Sequence, residues 1–389
     1  MLRPIVRPLS PRDPHEEHRT ASPLELFTDL CYVVAVAQAA LSLHHEITHD
    51  HAAHGLVWFG VSFFAIFWAW LNFVWINSAY DSDDVINRLL TLLQILGSLV
   101  LAAGVPRMFE EDLTLGIVGY VIMRVGLVLM WLRAAAGDPD RRQTAMRYAR
   151  GLVAVQTGWV IALLVTGGHI PIWLFVIGIT LDFGVPFFAE RAGQTPWHPH
   201  HIAERYGLFF IIVLGETILS VTIGLQVAFD KADPPAELWY VVAGGVLATF
   251  CGWWLYFARE NADVLSDNSV GFVWGLGHYV IFGAAAALGA GLAARIDHYT
   301  HHSEASDLVS SAFVTGPGAA FFAALWLVTI RLHDPSIRTA GPFAAAIVAM
   351  IAVTFVPYSE LWAGLIGVAL LVTEIWLTTD RDESVGAES

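Results

Sequence analysis

The chain has 389 residues, 56% apolar and only 14% charged, against about 25% charged in a soluble globular domain, so an ordinary soluble fold is excluded. Its formal net charge is −15 with a single lysine, Lys231, which excludes the basic footprint of nucleic-acid binding. The two cysteines, Cys31 and Cys251, fall in apolar blocks, so neither a disulfide framework nor a cysteine-rich zinc site is available.

Residues 1–21 are polar and proline-bearing. They lack the apolar core of a cleaved signal, so the first span is expected to be its own insertion signal, with 1–21 a cytoplasmic tail. Apolar blocks able to cross a hydrocarbon core of about 30 Å follow at 24–43, 55–78, 87–105, 114–133, 148–167, 170–189, 202–226, 237–257, 269–293, 307–330, 341–357 and 361–378, ahead of a tail at 381–389. The expected fold is all-α: a polytopic integral membrane protein of about twelve transmembrane helices, in the plasma membrane with the lipid bilayer as its first partner. Lys and Arg in short loops stay cytoplasmic. With twelve spans, fifteen arginines, among them Arg88, Arg133, Arg141, Arg142 and Arg147, fall on one side and only Arg107, Lys231 and Arg295 on the other. Both termini are therefore expected in the cytoplasm.

An ionisable side chain within a span is costly unless paired or facing a cavity. In span one, Glu25 and Asp29 are four apart and share one helix face, with Arg88 entering span three from the same side. They read either as an interfacial ion cluster or as a cation or proton site at the inner mouth. Arg124 lies near the middle of span four, and Asp182 and Glu374 lie in later spans. Span seven carries Glu204, Arg205 and Glu216; Arg205 and Glu216, eleven residues apart, fall within about 20° of one face and about 16 Å apart along it. Glu216 is expected to find a partner in Arg124, as a structural pair or as a transport site.

Trp68, Trp70, Phe73 and Trp75 crowd span two, and Trp253, Trp254 and Phe257 crowd span eight; they read as interfacial aromatics or as a ligand lining. Histidines gather on the outer side, including His44, His45, His49, His51, His298, His301 and His302. Their spacing matches no defined zinc signature, which leaves a solvated loop or a metal- or pH-responsive cluster.

A shift of 184 positions pairs Trp70 with Trp254, Asn77 with Asn261, Ser82-Asp83 with Ser266-Asp267 and Gln94 with His278 without a gap. That register implies duplication, with one six-helix repeat over 22–195 and a second over 196–380. An even helix number per repeat makes them parallel, related by an axis along the membrane normal. No Gly-x-Ser-x-Gly elbow, Walker loop or His-Glu-x-x-His occurs, so no enzyme class or cofactor has a supporting motif.

Three segments carry a resemblance: Ser22-Pro23-Leu24-Glu25-Leu26-Phe27-Thr28-Asp29-Leu30, the block from Trp70 to Asp84 with Arg88 to Gln94, and Glu204-Arg205-Tyr206-Gly207 running on to Gly215-Glu216. Together they resemble the bacterial low-temperature-requirement A family over roughly 20–380, with Thr28 standing where that family usually has Phe. The resemblance implies a multi-pass membrane protein linked by name to growth in the cold, and it carries over no settled biochemical activity. Phe27-Thr28-Asp29 is also similar, over three residues, to lysosomal-type potassium channels. The function expected from these residues is a transporter or channel for a small solute or ion, with Glu25, Asp29, Asn77, Arg88, Gln94, Arg124, Glu204, Arg205, Glu216, Asn261 and His278 as candidate binding residues. The alternative is a membrane-embedded sensor or enzyme working through the outer histidines.

Overall fold

The computed structural model describes residues 7, 9–13, 20–230, 235–265 and 268–388; Lys231 and the Ser266-Asp267 match lie outside them. Among the described residues there are twelve helices and no strand. They are α1 (Pro23–Thr48), α2 (Ala52–Ala79), α3 (Val85–Phe109), α4 (Thr114–Gly137), α5 (Arg142–Thr166) and α6 (Ile172–Glu190). Then come α7 (Pro199–Asp230), α8 (Ala236–Phe257), α9 (Asn268–Tyr299), α10 (Asp307–His333), α11 (Ile337–Val353) and α12 (Ser359–Glu388). Eleven are long and apolar enough to cross a membrane, and α11, with 17 residues, spans about 25 Å at 1.5 Å per residue. Each expected span falls on one of these helices, and this is an all-α polytopic membrane protein.

The helices outrun the apolar blocks because local chemistry, not hydropathy, ends them. Asp84 caps α3 by accepting from the Asn87 N–H at 2.7 Å, and Ser306 caps α10 by accepting from the Val309 N–H at 3.3 Å. Gly167, at φ 64°, closes α5 in the left-handed region where a Cβ is penalised, and Pro171 then sets the entry to α6. Asp50, Glu111, His301 and Tyr358 take positive φ in the turns after α1, α3, α9 and α11. Within α10 the backbone widens to a π turn over Trp326–Ile330.

Two compact units result: residues 1–39 with 61–209, and residues 40–60 with 210–389. In the first, α3 packs on α4, α4 on α5 and α5 on α6. The α3–α4 contact is backbone against backbone: a Cβ added to Gly97 would lie 2.8 Å from the Gly119 carbonyl oxygen, and one on Gly119 2.6 Å from the Leu101 nitrogen. Small residues let helices approach in lipid, where packing replaces hydrophobic drive. A core at one end of these helices stacks Trp131 on Tyr148, ring centroids 4.0 Å apart, among Phe73, Ile76, Met130 and Ala149. In the second unit, α9 packs on α10, α10 on α11 and α11 on α12, and α8 packs on α12.

Candidate functional site

Span one begins with Ser22-Pro23-Leu24-Glu25, and these residues form a capping box. The Glu25 N–H donates to Ser22 Oγ at 3.3 Å and the Ser22 N–H to Glu25 Oε2 at 2.8 Å. The box fixes Glu25 in the first turn of α1, and Asp29 follows one turn later on the same face. Facing them, α7 presents His201 and Arg205 at the same four-residue spacing. Arg205 Nη1 lies 2.9 Å from Glu25 Oε1, while its Nε and Nη2 lie 3.0 and 2.5 Å from the two oxygens of Asp29. This fork on a carboxylate is the geometry a guanidinium favours. His201 Nε2 is 3.1 Å from Glu25 Oε1, and Trp70 Nε1 donates to Asp29 Oδ1 at 2.7 Å. Trp70 is itself held against Tyr206 and Phe209. Arg205 and Asp29 are fully buried and Glu25 nearly so. Thr28 is also fully buried and bonds its hydroxyl back to the Leu24 carbonyl.

The charge of this cluster follows by counting. Two carboxylates and one guanidinium leave −1 when His201 is neutral and zero when it is protonated. A net charge away from water is expensive.

Several expected residues lie elsewhere. Arg88 pairs not with Glu25 but with Asp83, at 2.8 Å on an exposed turn. Arg124 does not pair with Glu216; its Nη2 lies 3.2 Å from Asp182 Oδ1, because consecutive packing of α4, α5 and α6 brings that acid to it. Trp159 Nε1 holds the other Asp182 oxygen at 2.9 Å. Glu216 is half-buried and makes no hydrogen bond or ion pair with a described residue. Glu204 accepts from the Ala21 N–H at 3.1 Å. Gln94 donates to the Met130 sulfur. Asn77, Asn261 and His278 are buried, His278 with Nδ1 2.8 Å from the Trp274 carbonyl oxygen. In the repeat register Trp70 is buried where Trp254 is exposed.

The histidines around the α1–α2 and α9–α10 turns meet single carboxylates and one another. His44 meets Asp297 at 2.8 Å and His54 meets Glu46 at 3.0 Å, with His51 3.8 Å from the same Glu46. His45 stacks on His49, His298 lies 3.6 Å from Asp307, and His302 contacts Thr300. Among the described residues no three His, Cys, Asp or Glu side chains converge for a metal ion.

Two features escaped the sequence reading. In the second unit Arg295, fully buried, meets Glu360 at 3.1 Å, Asp307 at 2.7 Å and Ser310 at 2.9 Å, and it also bonds Tyr299. The only sequence signal was Arg295 itself, an arginine on the arginine-poor side. Outside the spans, Asp84 is buried, which opposes its ionisation. The Asn87 and Arg7 N–H groups and the Arg133 guanidinium, 2.5 Å away, outweigh that and hold its carboxyl below the usual carboxylate range.

The family of bacterial low temperature requirement A proteins matches residues 20–376, which include the whole Glu25–Asp29–His201–Arg205 cluster. The chain belongs to this family. An uncharacterized protein of Rhizobium meliloti (strain 1021) is 30% identical over 274 residues, covering 66% of this chain and 64% of the relative; the match thus spans somewhat less than two thirds of that relative's length. No solved structure matches the chain.

Proposed function

We propose that this LtrA-family protein is a transporter or channel for a small ion or solute, with Glu25, Asp29, Arg205 and His201 as its polar core. The observation that carries this reading is the burial of two carboxylates, one guanidinium and one imidazole in mutual contact within helices built to cross a bilayer. A second carboxylate and an imidazole beside a buried ion pair offer a place for a proton or a cation.

Proteoliposomes loaded with pH- and potassium-sensitive dyes test it. The wild-type protein should carry a flux that empty liposomes lack. Glu25→Gln leaves the Arg205–Asp29 pair intact and brings the cluster to zero charge, so the variant should fold and lose the flux or its pH dependence. Glu216→Gln, at a side chain without an ionic partner, should leave flux and stability unchanged. Equal flux in wild-type and Glu25→Gln vesicles would remove the cluster from the pathway.

Orientation is part of the proposal, supported by the arginine asymmetry: both termini face the cytoplasm. Cys31 and Cys251 are buried and give little labelling background. Cysteines introduced within 134–146 should resist an impermeant thiol reagent in intact cells, whereas one at His49 should label. Labelling within 134–146 would reverse the topology.

A further inference from the structure

Each unit carries a half-open pocket, and many of the lining positions correspond. On α2 and α8, Phe64 and Ala65 line the first where Ala248 and Thr249 line the second, and on α3 and α9 Leu101 answers Ala285. All three pairs are 184 residues apart, the register in which Asn77 meets Asn261. On α4 and α10, Gly116, Ile117 and Tyr120 answer Pro317, Gly318 and Phe321, all 201 apart. On α6 and α12, Phe175 and Ile179 answer Ala363 and Gly367, both 188 apart. A constant separation on each helix, equal to the sequence register on two of them, is the mark of one ancestral cavity copied twice.

The copies differ in chemistry. The first cavity is lined by Tyr120, Gln156, Trp159 and Asp182 besides its apolar wall. In the second, Phe321 replaces Tyr120, and the α6–α12 register places Leu370 where Asp182 stands; Met350 is the α11 side chain in the lining. Polar groups in an intramembrane cavity are costly unless partnered. Asp182 is satisfied by Arg124 and Trp159, and the Tyr120 hydroxyl by the Ala65 carbonyl. Gln156 Nε2 is not: it is buried, and no described residue accepts from it. An unfilled buried donor costs free energy that an incoming acceptor returns.

We infer that the first cavity binds a neutral, largely apolar small molecule carrying one hydrogen-bond acceptor, which takes the Gln156 amide N–H, and that the second cavity has lost this capacity. With Asp182 already neutralised by Arg124, the lining has no charge to offer an ion. The inference is independent of the transport proposal, since its test reads binding and not flux.

The probes are 2-acetylnaphthalene, which carries a carbonyl acceptor, and 2-isopropylnaphthalene, its hydrocarbon near-isostere. Binding is measured by equilibrium dialysis against the full-length protein in phosphatidylcholine nanodiscs, with empty nanodiscs subtracted. The ketone should bind saturably, one per chain, and about tenfold more tightly than the hydrocarbon, the difference expected for one hydrogen bond. Gln156→Leu should bring the ketone down to the hydrocarbon's affinity and leave the hydrocarbon unchanged, while Ile179→Trp, which fills the cavity from α6, should abolish saturable binding of both. Ketone and hydrocarbon binding equally in the wild type, or a ketone affinity indifferent to Gln156→Leu, would overturn the inference. So would the absence of a saturable component over empty nanodiscs, which would assign the space to lipid. If Ile179→Trp fails to fold, the Gln156→Leu comparison decides alone.

Discussion

Arg205→Gln is expected to destabilise the protein by about 3–5 kcal/mol, the usual cost of removing one partner from a buried ion pair, and to abolish flux. The guanidinium reaches both Glu25 and Asp29. Without it two carboxylates one helical turn apart retain the Trp70 and Ser22 N–H donors and the His201 ring, which leaves an uncompensated charge in a dry site. The amide is too short and too poor in donors to replace a forked ion pair. Thermal unfolding in detergent or nanodiscs measures the loss. Adding Asp29→Asn to Arg205→Gln should recover part of it, a coupling that the double-mutant cycle isolates. If Arg205→Gln unfolds within 0.5 kcal/mol of the wild type, the site is hydrated and its charge balance governs nothing.

The half of this cluster that lies on one helix was legible in the sequence. A four-residue spacing places Glu25 and Asp29 together whatever the rest of the chain does, and the Ser22-x-x-Glu25 pattern marks the start of α1. The partner across the gap was not legible, because it depends on which helices pack and at what depth. For Arg124 the sequence pointed to Glu216, and there it failed. Glu216 shares a stripe with Arg205 on α7, but α6 carries Asp182 to the same depth as Arg124 by packing through α5. Hydropathy fixes how many times the chain crosses the bilayer and carries no information on helix order. The histidines show the same limit: their chemistry is plain from composition, yet convergence of three ligands depends on turn geometry, and among the described residues no such convergence for a metal ion occurs.

Arg295→Met is expected to have a stability effect as large as that of Arg205→Gln, again about 3–5 kcal/mol, without the same consequence for flux. Glu360 is fully buried and would keep only the hydroxyls of Tyr299 and Ser359, neutral donors facing a full negative charge. The third member behaves differently. Asp307 has a side chain 59% exposed, so water already solvates it, and Asp307→Asn should cost no more than about 1 kcal/mol. Replacing both buried partners, Arg295→Met with Glu360→Met, should recover most of the loss, because packed apolar side chains equal or exceed a buried pair in stability once no charge is left alone. A scaffolding role for this cluster requires that the double variant, once folded, transport as the wild type does. If instead the double variant regains its unfolding temperature and remains without flux, Arg295 and Glu360 belong to the permeation pathway alongside the Glu25 cluster.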